Sequence, residues 1–226
     1  MINTLFSQNR YSFFNIDIFK EFPSDISSLI EENKIQLRLK KGQILFHEDT
    51  IPNGVYILKI GKLKKYTKGL NGKEHIFYLM KENEILGHHT ILCDEKYSHS
   101  AACLTDCLLY LLPKDFFLSI IKNNNAIAYC FLKNISHEFG VFINNSKILA
   151  QYNVRERTAL SIIKLHEFFD TNIQLSRKDH SNIVGTSVES LIRVLHDFKE
   201  EAIIEINKNI ISIINMDKLI KATNFS

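Results

Sequence analysis

The stretch Leu175–Glu201, LSRKDHSNIVGTSVESLIRVLHDFKEE, decides how the chain is read. Ser176, with Asp179 three residues on, has the spacing of a helix start in which a short polar side chain caps the first free N–H groups. Gly185 follows Ile183 and Val184, where a helix ends on a left-handed residue, and Thr186 or Ser187 then caps a second helix. Along that second helix Val188, Leu191, Leu195 and Phe198 recur at i, i+3, i+7 and i+10, which makes one buried stripe. At 100° per residue Glu189, Ser190 and Arg193 fall on the opposite face, near the N-terminal end. A recognition helix presents its base-reading side chains there.

The residue types suit that task. Arginine donates two hydrogen bonds to guanine O6 and N7, and glutamate accepts from cytosine N4. Spacing alone also fits a plainer reading. Glu189 completes a capping box with Thr186, or pairs with Arg193 as an i,i+4 salt bridge on a solvated face.

The segment resembles the helix-turn-helix of the Crp/Fnr family of bacterial transcription regulators. The family pattern is roughly T-R-x-x-x-A-x-x-x-G-x-S-x-E-T-x-x-R-x-L. It stands here as Ser176-Arg177, Val184-Gly185-Thr186-Ser187, Val188-Glu189-Ser190 and Arg193-Val194-Leu195. The resemblance implies that Glu189 and Arg193 read the conserved part of each half-site, with Ser190 beside them. It places Ser187 and the Arg177–Lys178 pair near phosphates. Val188 stands where the family often has arginine, as in Fnr-type members, and Ile192 stands where some members choose a flanking base.

From Ile35 to Leu112 short alternating strands are separated by turns at Lys41-Gly42, Gly61 and Leu70-Asn71-Gly72. Such regular short strands predict a β-barrel or jelly roll. ILGHHTIL is read as a further strand. So is SAACLTDCLLYLL, in which Cys103 and Cys107, four apart, share the interior face. This portion resembles the family's cyclic-nucleotide-binding β-roll, including Gly42, Gly61, Gly87 and the closing Leu112-Pro113-Lys114-Asp115-Phe116-Phe117. The predicted class is α+β: an N-terminal jelly-roll-like β-roll over 1–122, a dimerisation helix and hinge over 123–152, and a C-terminal winged helix-turn-helix over 153–226.

After Pro113 the period changes. Ala128, Leu132, Ile135, Phe139, Phe142, Ser146 and Leu149 step by alternating four and three, a heptad seam. Phe131, Val141 and Ile148 form a second apolar flank. One flank is expected to pack on the β-roll and the seam to form a homodimer interface, as the resemblance also implies. Two recognition helices would then lie about 34 Å apart, one turn of DNA, on an inverted repeat. The hinge is expected near Gln151–Val154, with a helix over VRERTALSIIKLHEFF. Beyond Glu201 a hairpin turning at Asn207-Lys208-Asn209 reads as a wing, with Lys208 at its tip either solvated or reaching a phosphate.

In cyclic-AMP-binding members a Gly-Glu pair holds the ribose and an Arg-Ser pair holds the phosphate. The matching residues here are Gly87-His88-His89 and His99-Ser100-Ala101, while the polar pair facing the adenine becomes Phe142 and Ile143. A buried cyclic phosphate needs a permanent cation, and a neutral imidazole replaces a bidentate guanidinium poorly. The pocket is therefore expected to be degenerate for cyclic AMP, with an unknown small-molecule effector. His88 and His89, read on a strand, would point to opposite faces, one into the pocket and one to solvent. No histidine spacing selects for haem or metal. His180 and His196 are expected at the surface, with His180 beside a phosphate.

The four cysteines, Cys93, Cys103, Cys107 and Cys130, lack paired C-x-x-C spacing. None precedes residue 93, so the N-terminal iron–sulfur cluster of the Fnr branch is not expected. No cofactor and no metal are predicted. At 226 residues, 45% hydrophobic and 23% charged, the composition is that of a soluble globular protein. The net charge of +3 is mild and the part from Gln151 onward is close to neutral, which argues against nonspecific coating of nucleic acid. A site-specific binder needs its charge only on one face. No apolar run approaches a membrane span of ~20 residues. MINTLFSQNRYSFFNIDIFK does not read as a secretory signal, so the expected location is the cytoplasm. No P-loop, nucleophile elbow or HExxH is present, and no enzyme is predicted. The expected partners are double-stranded DNA, a second copy of the chain and RNA polymerase. The competing reading is a small-molecule, haem or redox sensor module that signals through a protein partner.

Overall fold

A computed structural model describes residues 22–170 and 172–224; the N-terminal stretch read against a secretory leader lies outside the described residues. The chain forms two compact units.

In the first, α1 (Ser24–Asn33) precedes a sandwich of short antiparallel strands. These are β1 (Ile35–Leu39), β2 (Ile44–Phe46), β3 (Gly54–Ile60), β4 (Leu63–Lys68), β5 (Glu74–Met80), β6 (Ile85–Leu86), β7 (Ser100–Cys103) and β8 (Cys107–Pro113), with α2 (His88–Leu92) between β6 and β7. They make two four-stranded sheets, ordered β1-β8-β3-β6 and β2-β7-β4-β5. Between the sheets lies a core that includes Phe46, Leu58, Leu63, Met80, Leu86, Ala101 and Leu109. The outer face of the first sheet, through Val55, Ile57, Ile85 and Leu112, packs on Ile30 of α1, Ile91 of α2, Phe117 and Ile120 of α3 (Lys114–Asn123), and Ile127 and Phe131. Burying apolar side chains on both faces of this sheet is the main stabilising contribution, at roughly 1.5–3 kcal/mol per large residue.

Two strand readings need correction. ILGHHTIL is not one strand: pairing stops at Leu86, and Gly87 at φ +86° turns the chain into α2. A Cβ at Gly87 would lie 3.2 Å from the Gly54 carbonyl oxygen, so the backbones meet where only glycine fits well. SAACLTDCLLYLL is likewise two strands. The N–H of Leu104 donates to the Lys62 carbonyl and the chain reverses before β8. Cys103 and Cys107 still both face the interior, as expected, but from different sheets.

The period change after Pro113 is real. Asn124 Oδ1 accepts from the Ile127 N–H and starts α4 (Asn125–Gln151), a continuous helix of 27 residues. Phe131, Val141 and Ile148 are buried, and of the three Phe131 packs on the first sheet. The seam is bare by contrast: Leu132 is 60% and Phe139 68% exposed, with Phe142 and Leu149 also open. Ala128 and Ile135 are half-buried.

The second unit takes in residues 68–76 and the chain from Val141 onward, so it includes the C-terminal part of α4. There α5 (Val154–Phe169) is capped by a reciprocal pair in which Asn153 Oδ1 accepts from the Glu156 N–H and Glu156 accepts from the Asn153 N–H. Then come β9 (Ile173–Gln174), α6 (Arg177–Val184), α7 (Val188–Glu200), β10 (Ile204–Asn207), β11 (Ile210–Ile213) and α8 (Met216–Lys221). The strands pair in the order β10-β11-β9, a small wing sheet. Ala159, Ile162, Leu165, Leu191, Leu195 and Phe198 are buried in its core.

Candidate functional site

The α6–α7 corner is built as its sequence dictates. Ser176 Oγ accepts from the Asp179 N–H at 2.9 Å and starts α6. Gly185, at φ +72° and ψ +42°, ends it in the left-handed conformation. Of the two candidate caps for α7, Ser187 takes the role, its Oγ accepting from the Ser190 N–H at 3.1 Å. Leu191, Leu195 and Phe198 are buried and Val188 half-buried, so the apolar stripe faces the core.

Glu189 and Arg193 consequently face out, and both are exposed. Among the described residues no ion pair joins them, and no capping box forms with Thr186. The Glu189 carboxyl is held below the usual carboxylate range by its own backbone N–H and the Ser187 hydroxyl, so it is ionised and ready to accept. Ser190 lies beside them, half-buried, its hydroxyl 3.1 Å from that of Ser187. Lys178 is exposed and Arg177 half-buried. Lys208 is exposed at the wing tip with φ +54°.

His180 overturns its expectation. It is fully buried, its Nε2 2.8 Å from Ser161 Oγ on α5. It sits one helical turn after the cap, on the inward face of α6, and is a core group rather than a phosphate contact. His196 is exposed, as expected. Sequence reasoning also passed over Arg157. From α5 it donates to the carbonyl oxygens of Val184 at 3.0 Å and Tyr152 at 2.8 Å, tying the end of α6 to the end of α4.

In the β-roll, His88 and His89 lie on α2, so their side chains diverge by about 100° rather than 180°. His88 is fully buried and His89 half-buried, which corrects the strand reading. The His89 ring stacks on His99, with centroids 5.5 Å apart and planes 13° from parallel. His99 is buried between the edges of Phe46 and Phe77. Burial lowers His88 to about 3 and His89 to about 4, so both rings are neutral near pH 7. Ser100 is buried, with its Oγ accepting from the Glu48 N–H at 3.0 Å. Phe142 and Ile143 are exposed on α4.

Four groups in and beside the β-roll interior escaped the sequence reading. Lys65 on β4 lies over the Tyr78 ring, 4.2 Å from its centroid. The Tyr78 hydroxyl donates to Glu84 at 2.6 Å. Glu138 on α4 approaches His88 Nε2 to 3.7 Å. The signal for Lys65 was present: on a strand it shares a face with Leu63, which is fully buried. It was hidden inside a lysine-rich run that reads as solvated.

A β-roll sandwich followed by a long helix and a winged helix-turn-helix defines a two-part regulator of transcription. Residues 36–124 match the family model described as the cyclic nucleotide-binding domain, and residues 156–222 match the Crp-like helix-turn-helix domain. The chain belongs to the Crp/Fnr family, which is made up of transcription regulators and not of enzymes. It is 22% identical over 174 residues to the cyclic AMP receptor protein of Thermus thermophilus, covering 76% of this chain and 81% of that one. Against the anaerobic regulatory protein of Haemophilus influenzae it is 23% identical over 206 residues, 88% of this chain and 79% of the relative. A solved Crp/Fnr-family regulator from Eubacterium rectale shares the fold with a TM-score of 0.77 at 18% identity, covering 94% of this chain and 99% of that one. Among the described residues no helix is long and apolar enough to cross a membrane.

Proposed function

We propose that the chain acts as a homodimer that binds an inverted-repeat operator and regulates transcription in response to an effector other than cyclic AMP. The observation that carries this reading is the outward placement of Glu189 and Arg193 on the N-terminal half of α7, with the buried stripe of the same helix behind them. Glu189 and Arg193 read base edges in the major groove, and Ser190 lies alongside. Arg177, Lys178 and Ser187 contact phosphates, and Lys208 on the wing reaches a flanking one.

Dimerisation uses Ala128, Leu132, Ile135, Phe139, Phe142 and Leu149 of α4. A row of large apolar side chains left in water on one helix face supports it. The working parts are a sensor over 1–122, a dimer helix and hinge over 123–152 and a DNA-binding part over 153–226. The effector shifts the population of dimer-helix and hinge geometries, and with it the spacing of the two recognition helices.

Cyclic AMP is disfavoured because Gly87, His88, His89, His99 and Ser100, with Phe142 and Ile143, supply neither a ribose carboxylate nor a phosphate guanidinium. No resident cofactor or metal is part of this reading. The protein works in the cytoplasm with RNA polymerase as its further partner. Selection of DNA from a random duplex pool tests it: enrichment of a palindrome with half-sites one helical turn apart is the expected result. Recovery of no common sequence would reject it.

A further inference from the structure

The β-roll interior holds more unanswered polarity than a core tolerates without reason. Both nitrogens of His88 and Nε2 of His99 have no hydrogen-bond partner among the described residues, and the two rings are 0% and 3% exposed. An unmet buried polar group destabilises the fold that holds it. Lys65, only 5% exposed, brings a cation into the same space, and its charge opposes protonation of His88, His89 and His99 alike. Lys65 pairs in register with Ala101 on β7, two residues from His99, so its side chain leaves the sheet on the same face as that ring.

Its counter-charge is incomplete. Glu84 is shared with the Tyr78 hydroxyl, and burial pushes its carboxyl up to about 7, so near neutral pH it carries only part of a charge. Glu138 faces His88 and also accepts from the Asn134 amide at 3.4 Å. A metal ion does not answer this arrangement. Among the described residues no group of three or more His, Cys, Asp or Glu is placed to hold one, and Lys65 would repel it. A ligand carrying negative oxygen answers it directly, since neutral imidazoles offer N–H donors and the ammonium offers charge. The ring of His99, fixed between Phe46 and Phe77 and stacked on His89, is already oriented for the task.

We propose that the β-roll binds a small organic anion whose carboxylate or phosphate oxygens are held by Lys65 Nζ and the ring N–H groups of His88 and His99. This rests on reading the β-roll as the effector-sensing part, and it names the chemistry of the effector. Lys65 is the specificity-determining cation, placed on β4 rather than on the segment from His99 to Ala101.

The test uses full-length protein with 15N-labelled histidine and follows the imidazole signals in long-range 1H–15N spectra without DNA. Succinate and inorganic phosphate are the probes, each titrated to roughly ten times a millimolar dissociation constant, with chloride at matched ionic strength as control. At least one probe is expected to shift the His88 and His99 signals saturably while chloride does not; the responding probe distinguishes a carboxylate from a phosphate ligand. Lys65→Met, which keeps the stem and removes the charge, is expected to weaken that response at least tenfold, about 1.4 kcal/mol. His99→Phe, which keeps the ring and removes its nitrogens, does the same while the backbone spectrum stays folded. No saturable shift with either probe, an equal shift with chloride, or an unchanged response in both variants would overturn the proposal. The readout is independent of DNA, so a failed operator selection with intact imidazole shifts removes the regulator mechanism and leaves this site standing.

Discussion

Arg157 Nε donates to the Val184 carbonyl oxygen at 3.0 Å, and its Nη1 donates to the Tyr152 carbonyl at 2.8 Å. One side chain on α5 thus answers the last carbonyl of α6 and that of Tyr152, the residue following α4, groups that helix geometry leaves without partners. It holds the turn before α7 at a fixed distance from the hinge. Arg157→Met keeps most of the stem and removes the donors. It is expected to destabilise the DNA-binding unit by about 2 kcal/mol in urea denaturation. Operator affinity should fall with it; a variant of unchanged stability would show these bonds to be dispensable.

Glu189 and Arg193 are expected to behave in the opposite way. Both are exposed, so replacing either should change stability by no more than about 0.5 kcal/mol. Arg193→Ala should nevertheless weaken the preferred operator by about 1–3 kcal/mol and relax the sequence preference at one base pair. Lys178→Ala should lower affinity evenly across sequences and flatten the salt dependence. Operator titrations at several salt concentrations separate the two patterns. Equal losses on specific and random DNA for Arg193→Ala would remove it from base reading.

Much of this was legible in the sequence because the controlling forces are local. A glycine at the end of α6, a serine ahead of each helix and an apolar step of three and four specify the α6–α7 corner from local sequence alone. The heptad rows on α4 were legible for the same reason. Local rules failed where a long-range contact decides. Gly87 breaks an apolar run that reads as a strand, because the Gly54 backbone passes beside it. His180 reads as surface by composition, yet Ser161 on α5 offers its ring a partner inside the core. Lys65 and Glu84 are charged residues in charged runs. Only the closure of the β-roll shows that both point inward.

The exposed seam on α4 gives the third prediction. Leu132 and Phe139 are each mostly in water, and covering such side chains contributes roughly 1.5–3 kcal/mol apiece. In a twofold dimer each is covered twice. Replacing both by glutamate should weaken association by on the order of 3 kcal/mol or more, beyond a hundredfold. Sedimentation equilibrium should report a monomer where the parent protein sediments as a dimer. Persistence of a dimer in the double variant would place the interface elsewhere.

His180 makes stability depend on pH. Burial, with Arg177 nearby, lowers the ring to about 3, against an ordinary value of about 6.5 in the unfolded chain. Between those values the unfolded chain takes up a proton that the fold refuses. The contribution is therefore complete above pH 6.5 and is lost as pH falls toward 3, at about 1.4 kcal/mol per pH unit. His180→Gln cannot take up that proton. Urea denaturation of the helix-turn-helix unit at pH 7.5 and 5.5 should show the parent losing about 1.4 kcal/mol more than the variant. Parallel losses in the two proteins would mean that His180 is protonated inside the fold.

Gly185 carries the last prediction. Its φ of +72° is a conformation that costs an L-residue roughly 1–2 kcal/mol, and a new Cβ would lie 3.1 Å from Leu149 Cδ2. Gly185→Ala should therefore lower the stability of the unit by at least that conformational cost. Asparagine tolerates the left-handed region better, but its longer side chain meets the same methyl group. If backbone conformation dominates, Gly185→Asn is less destabilised than Gly185→Ala; if the contact with Leu149 dominates, the order reverses. Adding Leu149→Ala to both variants separates the causes. It should leave the alanine–asparagine difference unchanged in the first case and restore asparagine as the less destabilised variant in the second, and thermal melts of the four proteins decide between them.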